Sequence, residues 1–492
     1  MDMEILHVRS ERSDIDLGFS KKINGNRITL LTGPNGCGKT EILTVLASAF
    51  REKKLLPKEH YVCWRRAEKI FDTYARHDGA QEYPERIIAQ TFSPFSRFPA
   101  TLKEKTTLTD VYSLGRSNEN RYVTIGLHRS SRFWGANLGR QTLKEAIYRL
   151  SESVGQVGVI SKVLLKLGYL DEINFHFKLL PQLIKIKIKE KDDRLSAAVE
   201  LLEDAVNNAR SLKFKAPLVS ELRRHGIYGV AELILEAVEI ISEFEKSDSS
   251  YQYNVKFTSE RRIKDFSIIQ SFALLERLNL LRLESCLLTR TNGGTMDVAN
   301  ASSGQQQMLC SIIGLATAIR DDSLVLIDEP ELSLHPQWQQ LFLEYLQAVL
   351  LPFRDCHIFV ATHSPLIVQG ARTLGIDVVA LGNRELAEPK GPADNSVEET
   401  LMDVFETPVP FSSHLANKVF SIVSLVEEEA LEKPNSKTQK MEAEAELKAL
   451  QRLYSSAMVR DDKSLALLND ALELVQMDPY SNEVKSDTSN DE

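Results

Sequence analysis

Read only for apolar and polar positions, the chain changes period several times. Over the first forty residues, short apolar runs alternate with turn signals: Ile5 to Val8, Ile15 to Phe19, an Asn24-Gly25 turn, then Arg27 to Leu31 running into glycines. That pattern predicts antiparallel strands feeding a buried central strand. Ile42, Leu43, Leu46 and Phe50 then fall at helical spacing, so a helix is expected from about Lys39 to Phe50. A further apolar strand is expected at Arg86 to Gln90, ending in the loop Thr91-Phe92-Ser93-Pro94. From about 141 to 260 the pattern becomes helical, with apolar residues three and four apart in Leu143 to Leu167, Asp193 to Leu212 and Leu218 to Phe244. Within this region Ile184 to Lys189 alternates strictly and predicts a half-buried strand with a basic outer face. Strand signals return at Leu281 to Thr289, Leu324 to Ile327 and His357 to Ala361, with an Asn292-Gly293-Gly294 turn. The chain is mainly helical from about 396, and polar and acidic enough from Pro479 to predict disorder.

Composition narrows the setting. With 492 residues, the chain exceeds what one hydrophobic core usually serves, so an insertion or several domains are expected. No apolar run of about eighteen residues occurs, nor a basic run followed by an apolar one at the N-terminus, so the expected location is cytoplasmic, with no membrane partner. The five cysteines are scattered without CxxC pairs and read as free thiols of a reducing compartment. A net charge of −9 argues against a uniformly basic coat, while leaving room for a local basic groove.

The strongest chemical signal is Gly33-Pro34-Asn35-Gly36-Cys37-Gly38-Lys39-Thr40, which fits G-x-x-x-x-G-K-[ST] between an apolar strand and a helix. Backbone N–H groups of such a loop close around nucleotide phosphates, and the helix N-terminus favours the negative charge. Lys39 is placed to contact the β- and γ-phosphates and Thr40 to hold Mg²⁺. The second signal is Ser323-Leu-Val-Leu-Ile-Asp-Glu-Pro-Glu331. Its apolar strand delivers Asp328 to a C-terminal edge, where a carboxylate holds the metal, and Glu329 can polarise an attacking water. This strand is expected beside the strand that carries the phosphate loop.

Three further segments carry a resemblance to ABC-type ATPases, in that family's order. Ala301-Ser302-Ser303-Gly304-Gln305-Gln306-Gln307 resembles the signature motif, Ser333-Leu334-His335-Pro336 the D-loop, and Ala361-Thr362-His363-Ser364-Pro365 the switch-histidine segment. Gln90 matches a Q-loop glutamine on one residue only. Ser302 to Gln305 also suits an ordinary helix N-cap, and His363 a structural histidine at a strand end. The resemblance implies an α/β fold, a P-loop head with a mixed sheet, a helical insertion and a helical C-terminal region. It implies that Ser302, Ser303, Gly304 and Gln305 close over the γ-phosphate of ATP held by an opposite subunit. Glu329 would then activate water, His363 would sense the γ-phosphate, and Gln90 would contact metal and water. Cofactors are ATP and Mg²⁺, and the assembly is a homodimer or higher homo-oligomer.

From Lys39 to Asp328 there are 289 positions (328 − 39), longer than a compact transporter-type ATPase domain, and the excess falls between the Q-loop and the signature. The expected organisation is therefore 1–140 as the first part of the head, 141–260 as a mainly helical insertion, 261–410 as the second part of the head, 411–478 as a helical C-terminal region and 479–492 as a disordered acidic tail. The combination DEPELSLHP with VATHSP, together with Phe92-Ser93-Pro94-Phe95 and Val404-Phe405, resembles the PtuA ATPases of Septu-type and retron-linked antiphage systems. That resemblance implies a regulatory ATPase with an HNH nuclease (PtuB-like) partner. After His363 there is no Glu strand followed by Asp-x-Asp, so no intrinsic nuclease is expected. The competing reading is a DNA-repair-type ATPase with possible DNA binding along Lys185, Lys187, Lys189, Lys191, Arg223 and Arg224. A transporter subunit is a third, weakened by the large insertion. The insertion and Lys437 to Val475 are either docking surfaces or extensions of the core.

Overall fold

The computed structural model describes residues 3–17, 21–52, 56–74, 83–93, 97–99, 121–126, 157–207, 215–247, 249–257, 262–381, 396–405, 407–432, 437–455 and 461–476. Residues 143–156 of the expected helix, the Pro94-Phe95 pair and the acidic tail lie outside this set. By its contacts the chain divides into two units. The larger comprises Met1–Leu31, Gly38–Ala371 and Gly375–Val379; the smaller comprises Thr32–Cys37, Arg372–Leu374 and Ala380–Glu492.

The N-terminal strands β1 (Met3–Arg9) and β2 (Asp14–Asp16) pair antiparallel. A short β3 (Lys22–Ile23) turns through Asn24 and Gly25, at φ 52° and 84°, into β4 (Asn26–Thr32). Positive φ at both turn residues suits the twist of a tight hairpin, and Asn-Gly tolerates it at little cost. Every residue of β4 is buried, as its unbroken apolar run requires of a strand covered on both faces. Helix α1 (Lys39–Glu52) follows, with Ile42, Leu43, Leu46 and Phe50 at 0–1% exposure. Its Phe50 ring meets Trp64 edge-on at 5.0 Å. Trp64 lies on β5 (Tyr61–Arg66), which joins β1 and β6 (Lys69–Asp72) in a four-stranded sheet.

The main sheet also contains β7 (Arg86–Thr91) and β8 (Tyr122–Gly126), together with three strands from later in the chain. These are β14 (Ser323–Asp328), β15 (His357–Ala361) and β16 (Asp377–Ala380), and the strand order is β16-β4-β15-β14-β7-β8. The pairs from β4 through to β8 are all parallel. One expectation fails here, because the acidic strand β14 is not the neighbour of the phosphate-loop strand. β15 lies between them, with Val360 opposite both Leu30 and Ile327. Strand adjacency is set by crossover connections and not by motif order, so sequence carried no signal for it.

Between β8 and β14 the described chain builds a third sheet. Helix α2 (Val157–Lys166) precedes β9 (Tyr169–Leu179), and α3 (Pro181–Ile188), α4 (Arg194–Asn207) and α5 (Lys215–Ser242) follow. Strands β10 (Glu245–Ser247) and β11 (Ser250–Lys256), helix α6 (Arg262–Arg277), and strands β12 (Leu281–Arg290) and β13 (Thr295–Asp297) complete the segment. The five strands order as β10-β11-β9-β12-β13, antiparallel throughout. Phe175, Phe177 and Tyr253 point to one face, where Phe272 of α6 stacks on Phe177 at 4.6 Å.

The alternation at 184–189 folds as helix, not strand. Pro181 sits at the first helical position, where its fixed φ and missing N–H cost nothing. Helical spacing buries Leu183 and Ile186 and leaves Ile188 78% exposed. Six alternating residues do not decide between the two periods; the proline and the neighbouring buried surface do.

After β14 come α8 (Pro336–Leu350) and, following β15, α9 (Pro365–Thr373), with α7 (Ser303–Ala318) just upstream of β14. In the smaller unit, α10 (Ser413–Glu432), α11 (Lys437–Ser455) and α12 (Asp462–Gln476) bury Leu415, Val419, Leu447, Leu450 and Leu468 against one another. Among the described residues no helix is long and apolar enough to cross a membrane.

Candidate active site

The parallel strands of the main sheet all end at one edge, and the residues singled out by the sequence follow from it. Register aligns Asp328 with Thr91 on one side and with Ala361 on the other, and Ala361 with Leu31. The segments after β4, β7, β14 and β15 therefore leave from neighbouring positions at the carboxyl ends, where open α/β sheets bind ligands.

In the loop after β4, Gly33, Gly36 and Gly38 have φ of 138°, 83° and 100°. A Cβ on Gly33 would lie 2.1 Å from the Leu381 carbonyl oxygen, so only glycine fits there. Pro34, Asn35 and Gly36 are exposed, and Cys37 is half-buried. Lys39 and Thr40 open α1, with Lys39 5% exposed. The Thr40 hydroxyl donates to Asp328 Oδ1 at 3.0 Å.

Asp328 is 2% exposed, and burial, with Glu329 beside it, pushes its carboxyl pKa up to about 7. A buried acid next to a second acid is costly as an anion unless a cation compensates. Glu329 follows with φ 49°, an uncommon left-handed conformation for a residue with a side chain, and its N–H donates to Ala361 O at 2.9 Å. Gln90 is 1% exposed; its Nε2 donates to Ser311 Oγ of α7, while its Oε1 is buried without a hydrogen-bond partner.

These features fit a magnesium nucleotide. Thr40 and Asp328 would supply oxygen donors to such an ion, and Gln90 Oε1 is an acceptor left unsatisfied at the end of the neighbouring strand. Mg²⁺ is commonly held by one or two carboxylates together with phosphates and water, so a donor set of this size fits it.

His363 stands two residues beyond β15 and is half-buried; burial, then the charge of Lys39, lowers its pKa to about 4. Sequence reading missed the residue that holds it. Glu331 accepts from the Thr362 hydroxyl at 2.8 Å and from His363 N at 2.5 Å. Its position three residues after Asp328 was visible, but its partner is thirty-two residues away and nothing in the local pattern names it.

The segment from Ser302 to Gln305 is a helix N-cap. Ser302 caps α7 in a capping box: its hydroxyl accepts from Gln305 N at 3.3 Å, and Gln305 Oε1 accepts from Ser302 N at 3.0 Å. Ser302 and Ser303 are nevertheless exposed, and the N–H groups of Ser303 and Gly304 fall in the first turn, where no intrahelical acceptor exists. Gly304 is buried, and a Cβ there would lie 2.6 Å from Ser333 O. Ser333, with φ 61°, is exposed, and His335 caps α8 by accepting from Gln337 N.

The lysines suggested for a DNA track do not form one strand face. Lys185 and Lys189 are exposed at α3, whereas Lys187 is held by Glu245 at 2.5 Å. The side chains of Arg223 and Arg224 lie outside the described residues.

Comparison with known proteins places these elements. Over 252 residues the chain is 25% identical to the retron Ec83 probable ATPase of Escherichia coli, covering 48% of this chain and 44% of that protein. Over 151 residues it is 26% identical to the retron Vc95 probable ATPase of Vibrio cholerae serotype O1 biovar El Tor, covering 27% and 29%. A 68-residue stretch, 14% of this chain and 13% of the other, is 43% identical to protein ea59 of Escherichia phage lambda. The chain thus spans less than half the length of each of these relatives. The family described as "AAA domain, putative AbiEii toxin, Type IV TA system" matches residues 28–369, from the phosphate-loop strand to the helix after His363, and the chain belongs to that family.

Proposed function

We propose that this chain is an ATP-binding and ATP-hydrolysing regulatory subunit of an antiphage defence complex, of the PtuA type, that controls a partner HNH nuclease through ATP-dependent pairing of heads. The observation that carries the ATPase reading is the Thr40 to Asp328 hydrogen bond at 3.0 Å, which joins the first turn after the phosphate loop to the buried acid of β14. The similarity to two retron probable ATPases supports the defence setting.

In this reading Gly33 to Thr40 bind the phosphates of ATP through backbone N–H groups, and Lys39 offsets their charge. Thr40 and Asp328, with Gln90 nearby, would hold Mg²⁺, which would supply charge neutralisation to the phosphates. Glu329 orients and accepts a proton from the attacking water. His363, neutral at ordinary pH, donates a hydrogen bond to the γ-phosphoryl oxygens. The exposed Ser302 and Ser303, with the free N–H groups of the first turn of α7, offer an anion site to the nucleotide of a second copy. Hydrolysis removes the shared phosphate and loosens the pair. No nuclease centre of its own enters the scheme.

The test is a Glu329→Gln chain with ATP and Mg²⁺. Light scattering should show a dimer that persists with ATP and dissociates on ATP removal, while Lys39→Ala remains a monomer. A Glu329→Gln profile indifferent to ATP sinks head pairing. Co-expression with an HNH protein, followed by pull-down and plasmid cleavage with and without ATP, tests the partner.

A further inference from the structure

Two side chains to which the expected motifs assign no role, Glu331 and Gln339, tie the turn before α8 to the loop carrying His363. Glu331 accepts from the Thr362 hydroxyl and the His363 N–H, while its own carbonyl accepts from Leu334 N at 2.9 Å and closes the turn through Ser333. Gln339, in the second turn of α8, makes a second crossing. Its Nε2 donates to Leu334 O at 2.9 Å, and its Oε1 accepts from the Ser364 hydroxyl at 2.6 Å. Ser364 N donates to Thr362 Oγ1 at 2.9 Å, so 362–364 are held at backbone and side chain together.

The geometry points to Glu331 and Gln339 as positioning residues that clamp the 331–334 turn to the 362–364 loop, so that contact made on the turn and the placement of His363 change as one. The chemistry of the bonds supports this. A carboxylate that accepts two bonds from one loop fixes that loop more tightly than a neutral side chain could, and an apolar replacement would leave a buried N–H and O–H unpaired. The turn also faces outward: Ser333 and His335 are exposed, and the Ser333 carbonyl lies against Gly304 at the start of α7. The Gln307 side chain on that helix donates to Pro330 O at 2.9 Å. A second copy meeting the exposed start of α7 therefore meets the turn, and the clamp connects the turn to His363. This rests on the ATPase reading and adds to it a route from subunit contact to turnover.

The experiment uses the full chain with ATP and Mg²⁺. Glu331→Ala and Gln339→Ala should each lower kcat about tenfold or more with KM within about twofold, since the lost interaction acts on turnover and not on binding. Glu331→Gln, which keeps one acceptor, should retain more activity than Glu331→Ala. In a His363→Ala background Glu331→Ala should cost less than about twofold further, because residues acting as one unit are not additive. Equal losses in both backgrounds overturn the clamp while leaving the ATPase reading intact. Without nucleotide, the His363 amide in Glu331→Ala should exchange its hydrogen roughly tenfold faster or more. Unchanged exchange overturns the clamp. A wild-type chain without turnover would sink the ATPase reading, and the exchange measurement would then decide the clamp alone.

Discussion

At the scale of single residues, burial decides the chemistry more than residue type does. His363 is an ordinary histidine by sequence, yet burial and the nearby Lys39 hold its pKa near 4 instead of the usual 6.5. The unfolded chain takes up a proton near 6.5, while the folded chain resists it until about 4. Between those values the unfolded state binds more protons, so this residue's contribution to stability is present above about 6.5 and is lost as pH falls through 4. A His363→Gln chain should therefore lose less melting temperature than the parent between about pH 7 and about pH 5. Equal losses in thermal melts would show that the neutral imidazole carries no such linkage. Asp328 and Lys39 could be named from their motifs because phosphate and metal chemistry demand those residue types at those offsets. Glu331 and Ser311 could not, since each acts on a residue far away in the chain.

At the scale of elements, the start of α7 shows how one short segment serves two purposes. Its capping box stabilises the helix, and Ser302→Ala should cost about 1 kcal/mol in urea denaturation by removing the acceptor for Gln305 N. Gly304 is needed for a different reason. A methyl group there meets the Ser333 carbonyl at 2.6 Å, and because that contact is backbone, relief requires the turn to move. Gly304→Ala should thus lower kcat about tenfold while leaving ATP affinity within about threefold. Parental turnover in that chain, with the fold intact, would show that the turn tolerates displacement. Elements themselves were unevenly legible. β4, β14 and β15 are continuous apolar runs and their positions were readable to within a residue or two. β9 was missed, although Ile173, Phe175, Phe177 and Leu179 alternate along it, because the helical periods on either side drew the whole region into one class. Ile184 to Lys189 erred the other way: the alternation was real, but Pro181 starts a helix.

At the scale of the whole molecule, the three C-terminal helices carry apolar side chains that their own cluster does not use. Phe420 is 74% exposed, Met441 68% and Leu425 60%. Apolar surface of this kind, on helices whose inner face is already packed, suits a protein contact. Where the proposed HNH partner docks on these helices, changing Phe420 and Met441 to Glu should abolish its capture in co-expression pull-downs and leave ATP turnover within about twofold. Retained capture would assign partner binding elsewhere and leave these helices as an extension of the core.

The sequence by itself determined the glycine-rich loop between β4 and α1, the acidic end of β14, the place of His363 just after β15 and the strand-helix-strand character of the head. These depend on residue type at short spacing, which local chemistry dictates. Only the tertiary structure decided that β15 separates the phosphate-loop strand from the acidic strand, that a five-stranded antiparallel sheet joins strands of the expected insertion to β12 and β13 beyond it, and that Glu331 and Gln339 bridge two loops. The physical reason is common to all three. Strand order, sheet pairing and side-chain bridging are made by groups distant in the chain, and their free energy appears only once the chain has closed around them.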